Sequence, residues 1–204
     1  TNAGETESWN GSNWTETTDL NTSRTSVAGA GASNTSALCF GGNTPPPPTN
    51  AQDLTELWNG SNWTEVNDMN DSRFVLAGGG TTTSALAFGG YDTGVKDQTE
   101  LWNGTNWTEV NDLNTGRYYL AGTGADNTAA LAIGGDTGSN SALTELWNGT
   151  NWTEQNDLST ATRLSAGAGT TTSAISAGGL APSFTTASEE WNNPSTTTKT
   201  ISTD

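Results

Sequence analysis

Glutamates that recur in pairs are the side chains of this sequence with the clearest look of chemistry. Glu56 with Glu65, Glu100 with Glu109 and Glu145 with Glu154 flank Asn-Gly turns that bring each pair onto one face of a hairpin. Two facing carboxylates are the apparatus of glycoside hydrolysis. A catalytic pair, however, occurs once, in surroundings that separate its two pKa values. Here the pair returns in every well-formed copy beside one arginine: Arg24, Arg73, Arg117 and Arg163. The pattern points to ion pairing at the sheet edge, for which the planar fork of arginine is better suited than lysine. Cys39 stands where other copies have Ala87, Ala132 and Ser176, which marks it as a small packing residue. The chain holds no histidine to activate it, so neither a Cys-His nor a Ser-His-Asp nucleophile can be assembled. The acidic segments at 67–70 and 111–114 offer oxygen ligands but lack EF-hand spacing. The Ala-Gly-x-Gly stretches precede no Lys-Ser/Thr and open no helix, so they are not phosphate loops. The sequence thus nominates no catalytic residue, no metal ligand and no cofactor.

Composition narrows the field further. Six basic and 22 acidic residues give a formal net charge of −16 over 204 residues. Such a chain has no electrostatic footprint for phosphate backbones or anionic lipid, which excludes nucleic acid as the expected partner. No apolar run is long enough to predict membrane insertion. One cysteine permits no intrachain disulfide. Thr1 at the head, with no basic and then apolar leader after it, predicts a processed chain, an engineered start or a segment of something longer. Thr, Gly and Asn dominate, and aliphatic residues are scarce enough to resemble a disordered composition. Nine tryptophans argue for a fold, and their placement decides the matter.

Five segments align: Thr6 to Trp9, Thr55 to Trp58, Thr99 to Trp102, Thr144 to Trp147 and Ser188 to Trp191. In the first four, Asn-Gly-Ser/Thr-Asn-Trp follows, giving the pairs Trp9/Trp14, Trp58/Trp63, Trp102/Trp107 and Trp147/Trp152; Trp191 stands alone. Then come an acidic-apolar pair, the arginine, Ala-Gly-x-Gly, an apolar stretch and a Gly pair such as Gly89-Gly90. The whole chain, 1–204, reads as one repeat domain with a partial unit at 5–16 and units at 25–66, 73–110, 117–155 and 163–200. A longer first interval holds the loop around Pro45 to Pro48.

Each unit predicts four short strands and no helix, because helical periodicity is absent and Gly, Thr and Asn are poor helix formers. Strand a is the Ala-Gly-x-Gly segment and strand b the apolar stretch. Strands c and d flank Asn-Gly, a signal for a type I′ hairpin. A two-residue or a four-residue loop gives the same parity: Glu56, Trp58, Trp63 and Glu65 share one face, and Leu57, Thr64 and Val66 share the other. Packing residues on both faces predict a sheet sandwiched between neighbours. The expected fold is all-β, a propeller of four-stranded antiparallel blades, four or five in number, with the tryptophans and arginines as its structural core.

The order of arginine, Gly pair, aromatic third strand and Trp-opened fourth strand resembles the kelch repeat over nearly all of residues 5–191. Trp58 replaces the usual kelch Tyr, and the spacing to Trp63 is shorter than the kelch pair. The wording of residues 102–117 (WNGTNWTEVNDLNTGR) and 81–90 (TTTSALAFGG) is similar to kelch-like repeat proteins encoded by marine bacteriophages, of structural or tail-fibre type. That resemblance implies a non-enzymatic virion module (fibre, tail or capsid decoration), extracellular and present in many copies or as a homo-oligomer. Its implied partners are other virion proteins, or a host-surface glycan or protein. A secreted glycan-binding propeller is the alternative.

Ring closure is open in two ways. The hairpin at 5–16 closes four blades by completing the strands at 163–179, or 187–204 completes that blade and the hairpin belongs to a fifth. Binding residues are expected on the b–c loops, which vary most among copies. Tyr91, Asp92, Lys96, Asp97 and Phe184 are the side chains there that break the repeat.

Overall fold

A computed structural model describes residues 4–44 and 50–193. The proline-rich loop at 45–48 therefore lies outside the described residues. A hairpin of β1 (Glu7–Trp9) and β2 (Trp14–Glu16) precedes the first blade. That blade comprises β3 (Ala28–Ser33), β4 (Ser36–Phe40), β7 (Thr55–Trp58) and β8 (Trp63–Glu65), with a two-stranded ribbon, β5 (Asn43–Thr44) and β6 (Asn50–Ala51), inserted between its middle strands. The second comprises β9 (Ala77–Thr81), β10 (Ser84–Phe88), β11 (Thr99–Trp102) and β12 (Trp107–Val110), and the third β13 (Ala121–Asp126), β14 (Ala129–Ile133), β15 (Thr144–Trp147) and β16 (Trp152–Glu154). The fourth shows β17 (Ala166–Gly169), β18 (Ser173–Ala177) and β19 (Ser188–Asn192); a further strand in 194–200 would fall outside the described residues. All strand pairings are antiparallel, and no helix occurs among the described residues. Inner strands touch in the order β3, β9, β13, β17, so the molecule is an all-β propeller of four blades.

The expected parity holds. Glu56 pairs with Glu65, Leu57 with Thr64 and Trp58 with Trp63 across the outer hairpin, and the next two blades repeat that register. The turn is the four-residue form rather than a type I′ turn. Asn59 accepts the N–H groups of Ser61 and Asn62 on its side-chain oxygen, and only Gly60 takes a positive φ, of 93°. An Asx turn thus replaces the two left-handed residues that the shorter loop needs.

The two faces of a blade are unlike. In the second blade Leu86 and Phe88 lie on one face, while Ala85, Ala87, Trp102 and Trp107 lie on the other and pack on Leu38 and Phe40 of the first. Leu86 and Phe88 in turn meet Ala130, Ala132, Trp147 and Trp152 of the third. Trp107 meets the Phe40 ring edge-on at 5.0 Å and donates its indole N–H to Thr55; Trp152 repeats both contacts with Phe88 and Thr99. Glycine in strand a follows from this packing: a Cβ on Gly78 would stand 2.5 Å from the Phe40 ring, and one on Gly122 2.9 Å from Phe88.

Two sequence expectations need correction, and one of the two ring closures left open is not formed. Trp9 and Trp14 are not core; they are 43% and 63% exposed, and no blade covers their face among the described residues. The clasp between 5–16 and 163–179 is absent: β18 pairs with β17 and β19, and β1 pairs with β2 alone among the described residues. Arg163 does not occupy the arginine position. Gly42 and Gly90 donate to the carbonyls of Arg73 and Arg117, but Gly135 donates to Thr162, so Thr162 fills that place and Arg163 stands one residue further on.

Gly78→Ala should lower stability by about 1–3 kcal/mol in urea denaturation through overpacking. Phe40→Leu in the same chain should recover part of that loss. A Gly78→Ala protein as stable as the parent would refute the contact as the reason for glycine.

Candidate functional site

The repeated carboxylates are withdrawn from chemistry by their partners. Glu56 is 1% exposed, accepts Arg24 at 2.9 Å on Oε1, and takes both the backbone and side-chain N–H groups of Asn21 on Oε2 at 2.8 Å. Glu100 is held in the same way by Arg73 and Asn70. Glu145 takes Asn114 in that way but meets Arg117 as an ion pair through Nη1 at 3.2 Å, without a hydrogen bond. The pairs sit inside the blade rather than at its edge. The contact is also not a two-pronged fork: Arg24 reaches the carboxylate through Nη2 and gives Nη1 to the carbonyls of Gly41 and Leu54. Arg24 and Arg73 therefore staple the strand b–c connection to the carboxylate, whereas Arg117 bonds to the Ala132 carbonyl within strand b. Burial pulls the Arg73 and Arg117 pKa values down, against the stabilising charges of Glu100 and Glu145. Facing them, Glu65, Glu109 and Glu154 are exposed. Partial desolvation and the nearby charges of Glu145 and Asp157 raise the Glu154 pKa.

The acidic segments are likewise used in the frame. Asp68 accepts the Thr55 N–H and Asp112 the Thr99 N–H, while Asn67 and Asn111 bond to the c–d turns of the following blades. No cluster of three metal-ligating side chains occurs among the described residues. Cys39 is buried, and burial raises its thiol pKa to about 11 despite the neighbouring Arg24 charge. A cavity of about 540 Å³ at the inner strands is lined by small residues such as Gly31, Gly79 and Gly124, with no ionisable side chain among them.

Where the repeat breaks, a different surface forms. Strand a of each blade is entered through a residue that forms a bridge to the b–c loop: Thr25 with Asn43, Phe74 with Tyr91, Tyr118 with Asp136 and Arg163 with Leu180. The next residues, Ser26, Val75, Tyr119 and Leu164, all adopt positive φ of 50–61°. Backbone bonds run between them from blade to blade: Val75 to Ser26, Tyr119 to Val75 and Leu164 to Tyr119. This ladder holds side chains that would otherwise avoid a left-handed backbone. It also sets four aromatic rings in a row. Phe74 lies 5.8 Å from Tyr91, Tyr91 5.2 Å from Tyr118, and Tyr118 5.1 Å from Tyr119. All four are half-buried. Past Tyr118, Asp136 forms an ion pair with Arg163 across the blade boundary and accepts the Gly138 N–H. Desolvation, then the Asp136 charge, raises the Tyr118 pKa, and Arg163 opposes the change.

Of the loop residues singled out from sequence, Tyr91 joins this row. Lys96 lies on the same loop and pairs with Asp71 at 2.9 Å. Asp92 closes a tight turn through Gly94, and the Asp97 carbonyl accepts the Leu113 N–H, so both belong to the loop's own framework. Phe184 is 83% exposed on the loop of the fourth blade and makes no part of the row. Phe74, Tyr118, Tyr119 and Asp136 were not anticipated. For the three rings the signal was the variation just after the arginine, Thr-Ser, Phe-Val and Tyr-Tyr in the first three units, which a search confined to b–c loops passes over; Asp136 opens a b–c loop, directly after Gly134-Gly135.

No family model matches the chain, and no curated protein matches it in sequence.

Arg73→Met should cost about 3–5 kcal/mol because Glu100 is left buried and charged without its cation. Adding Glu100→Gln removes the charge while keeping an oxygen for Asn70, and should restore much of the loss in urea denaturation. Equal losses in both variants would contradict the electrostatic account. The raised thiol pKa leaves Cys39 with less thiolate at pH 8 than an ordinary cysteine. A thiol reagent at that pH should therefore react promptly only after unfolding; rapid reaction of the native protein would count against burial there.

Proposed function

We propose that this protein is a non-enzymatic adhesion module: a kelch-like propeller displayed on a virus particle, as a fibre, tail or capsid-decorating component, whose loop face contacts a host-surface glycan or protein. The row Phe74, Tyr91, Tyr118 and Tyr119 carries the reading. It lies on the face where the units diverge, while the recurrent Glu, Arg and Asn side chains are spent within the frame. Rings packed against one another and anchored by a backbone ladder lose little entropy on binding, and they combine apolar faces with phenolic hydroxyls. Such a strip suits the C–H face of a sugar ring or an extended protein segment. The virion setting rests on the resemblance of the repeat wording to phage-encoded kelch-like proteins and on the threonine-rich, lysine-poor composition.

A secreted glycan-binding propeller would use the same strip. The two settings are separated by imaging particles for density attributable to this chain; its recovery solely as a free secreted protein would refute the virion assignment. Binding to host-cell surfaces and glycan arrays should fall about tenfold or more in Tyr91→Ala/Tyr118→Ala, with the melting temperature little changed. Undiminished binding by that variant would refute the role of the row.

A further inference from the structure

The propeller leaves two faces without a partner among the described residues, and they correspond, in reduced form, to the halves of an interface already made inside the chain. The fourth blade keeps Ile175 with Ala177 in the Phe position, and the hairpin keeps the tryptophan pair without strands a and b. Between consecutive blades, the face bearing the strand-b Leu and Phe meets the face bearing alanines and tryptophans. The third and fourth blades repeat this, with Leu131 and Ile133 against Ala174 and Trp191. The fourth blade's own counterpart of that first face carries Ile175, which is 41% exposed, whereas Leu38, Leu86 and Leu131 are at most 2% exposed. At the other limit stands the hairpin with Trp9 and Trp14 uncovered. Those rings lie 5.4 Å apart at 45°, the same arrangement as the buried pair Trp102/Trp107 at 5.3 Å and 45°. The exposed pair is thus already shaped as the buried ones are.

Polar groups match as well. The second tryptophan of each pair donates its indole N–H to a hydroxyl at the start of strand c in the preceding unit: Trp63 to Thr6, Trp107 to Thr55 and Trp152 to Thr99. Trp14 has no such acceptor among the described residues. The corresponding hydroxyl of the fourth blade is Ser188, and it is exposed. A groove of about 330 Å³ continues the apolar surface from Trp9 and Trp14 to Trp58 and Trp63.

We propose that the Ile175 face of one copy docks on the Trp9/Trp14 face of a second copy, head to tail, so that two molecules reproduce the contact that blades make within one. A second copy is the occupant because it supplies the one surface to which this face's three internal equivalents are already fitted. The contact is heterologous, so copies propagate into a ring or a filament rather than stopping at a symmetric dimer. Each copy carries a net charge of −16, so association strengthens as salt screens the repulsion.

The test is sedimentation of the full chain at sub-millimolar concentration and two ionic strengths. The parent protein should self-associate, more so at the higher salt. Trp14→Ser and Ile175→Asp each spoil one half of the contact and should each weaken association about tenfold or more. Both residues are exposed, so circular dichroism should show both variants folded. Mixed together, the two variants retain one good face each and should form a dimer that goes no further. A parent protein that stays monomeric, as it would if the chain closed on itself or another partner filled these faces, overturns the proposal. Failure of the mixture to dimerise overturns it as well.

Discussion

An indole held between two rings is the contact from which the rest of this molecule follows. Trp107 lies against Trp102 of its own hairpin and edge-on to Phe40 of the preceding blade, and its N–H ends on the Thr55 hydroxyl. A buried indole removes roughly 150–250 Å² from water, an upper bound of about 4–6 kcal/mol each at about 25 cal/mol per Å². In a chain with so few aliphatic residues, two such rings in each of the middle blades supply much of the driving force for stacking. The remaining small residues follow from that choice. Phe40 must reach over the neighbouring inner strand, so that strand is glycine at Gly78; alanines in β10 leave room for the incoming tryptophans.

Direction comes with this contact. Because one face offers Leu and Phe and the other Ala and Trp, a blade can follow another in one sense only. The buried Arg-Glu pairs then fix the interior of the first three blades rather than their neighbour relations. Arg73 joins the carbonyl of Gln98 to the carboxylate of Glu100, and Asn70 closes the other oxygen, which ties the segment before strand a to strand c. The cost of burying both charges is offset by a nearly complete set of donors around the carboxylate.

The repeat was legible in the sequence because its strongest signals are local. Trp-Asn-Gly-Ser/Thr-Asn-Trp fixes parity whichever loop is drawn, so Glu56 and Trp58 were placed on one face correctly without knowledge of the turn. The buried pairing was half legible: arginine beside carboxylate could be read, whereas its depth in the sheet could not. Arg163 misled because spelling and position part company there. Leu158 to Ala166 spans the same number of residues as Leu113 to Ala121, yet the arginine has moved one place, and backbone bonding rather than residue type reveals it. The aromatic row was illegible for a related reason. Phe74, Tyr91 and Tyr118 come from three connections and two blades; a bridge joins Phe74 to Tyr91, and Tyr118 meets Tyr91 across the blade boundary.

That one-residue displacement links frame and surface. With Thr162 in the arginine position, Glu189 pairs with no cation among the described residues and accepts the Ser159 N–H. Arg163, released from the interior, spans the blade boundary to Asp136, where its side chain is 32% exposed. A partly exposed pair of this kind adds less stability than a saturated buried one adds order. Its effect lies elsewhere: it closes the end of the aromatic row with a fixed charge pair and distinguishes the loop face of the fourth blade from the others. The same exchange leaves the blade whose outer face is uncovered without the buried ion pair of the other three. The repeat is thus most regular where two blades enclose it, and it departs from its own pattern where a blade faces outward.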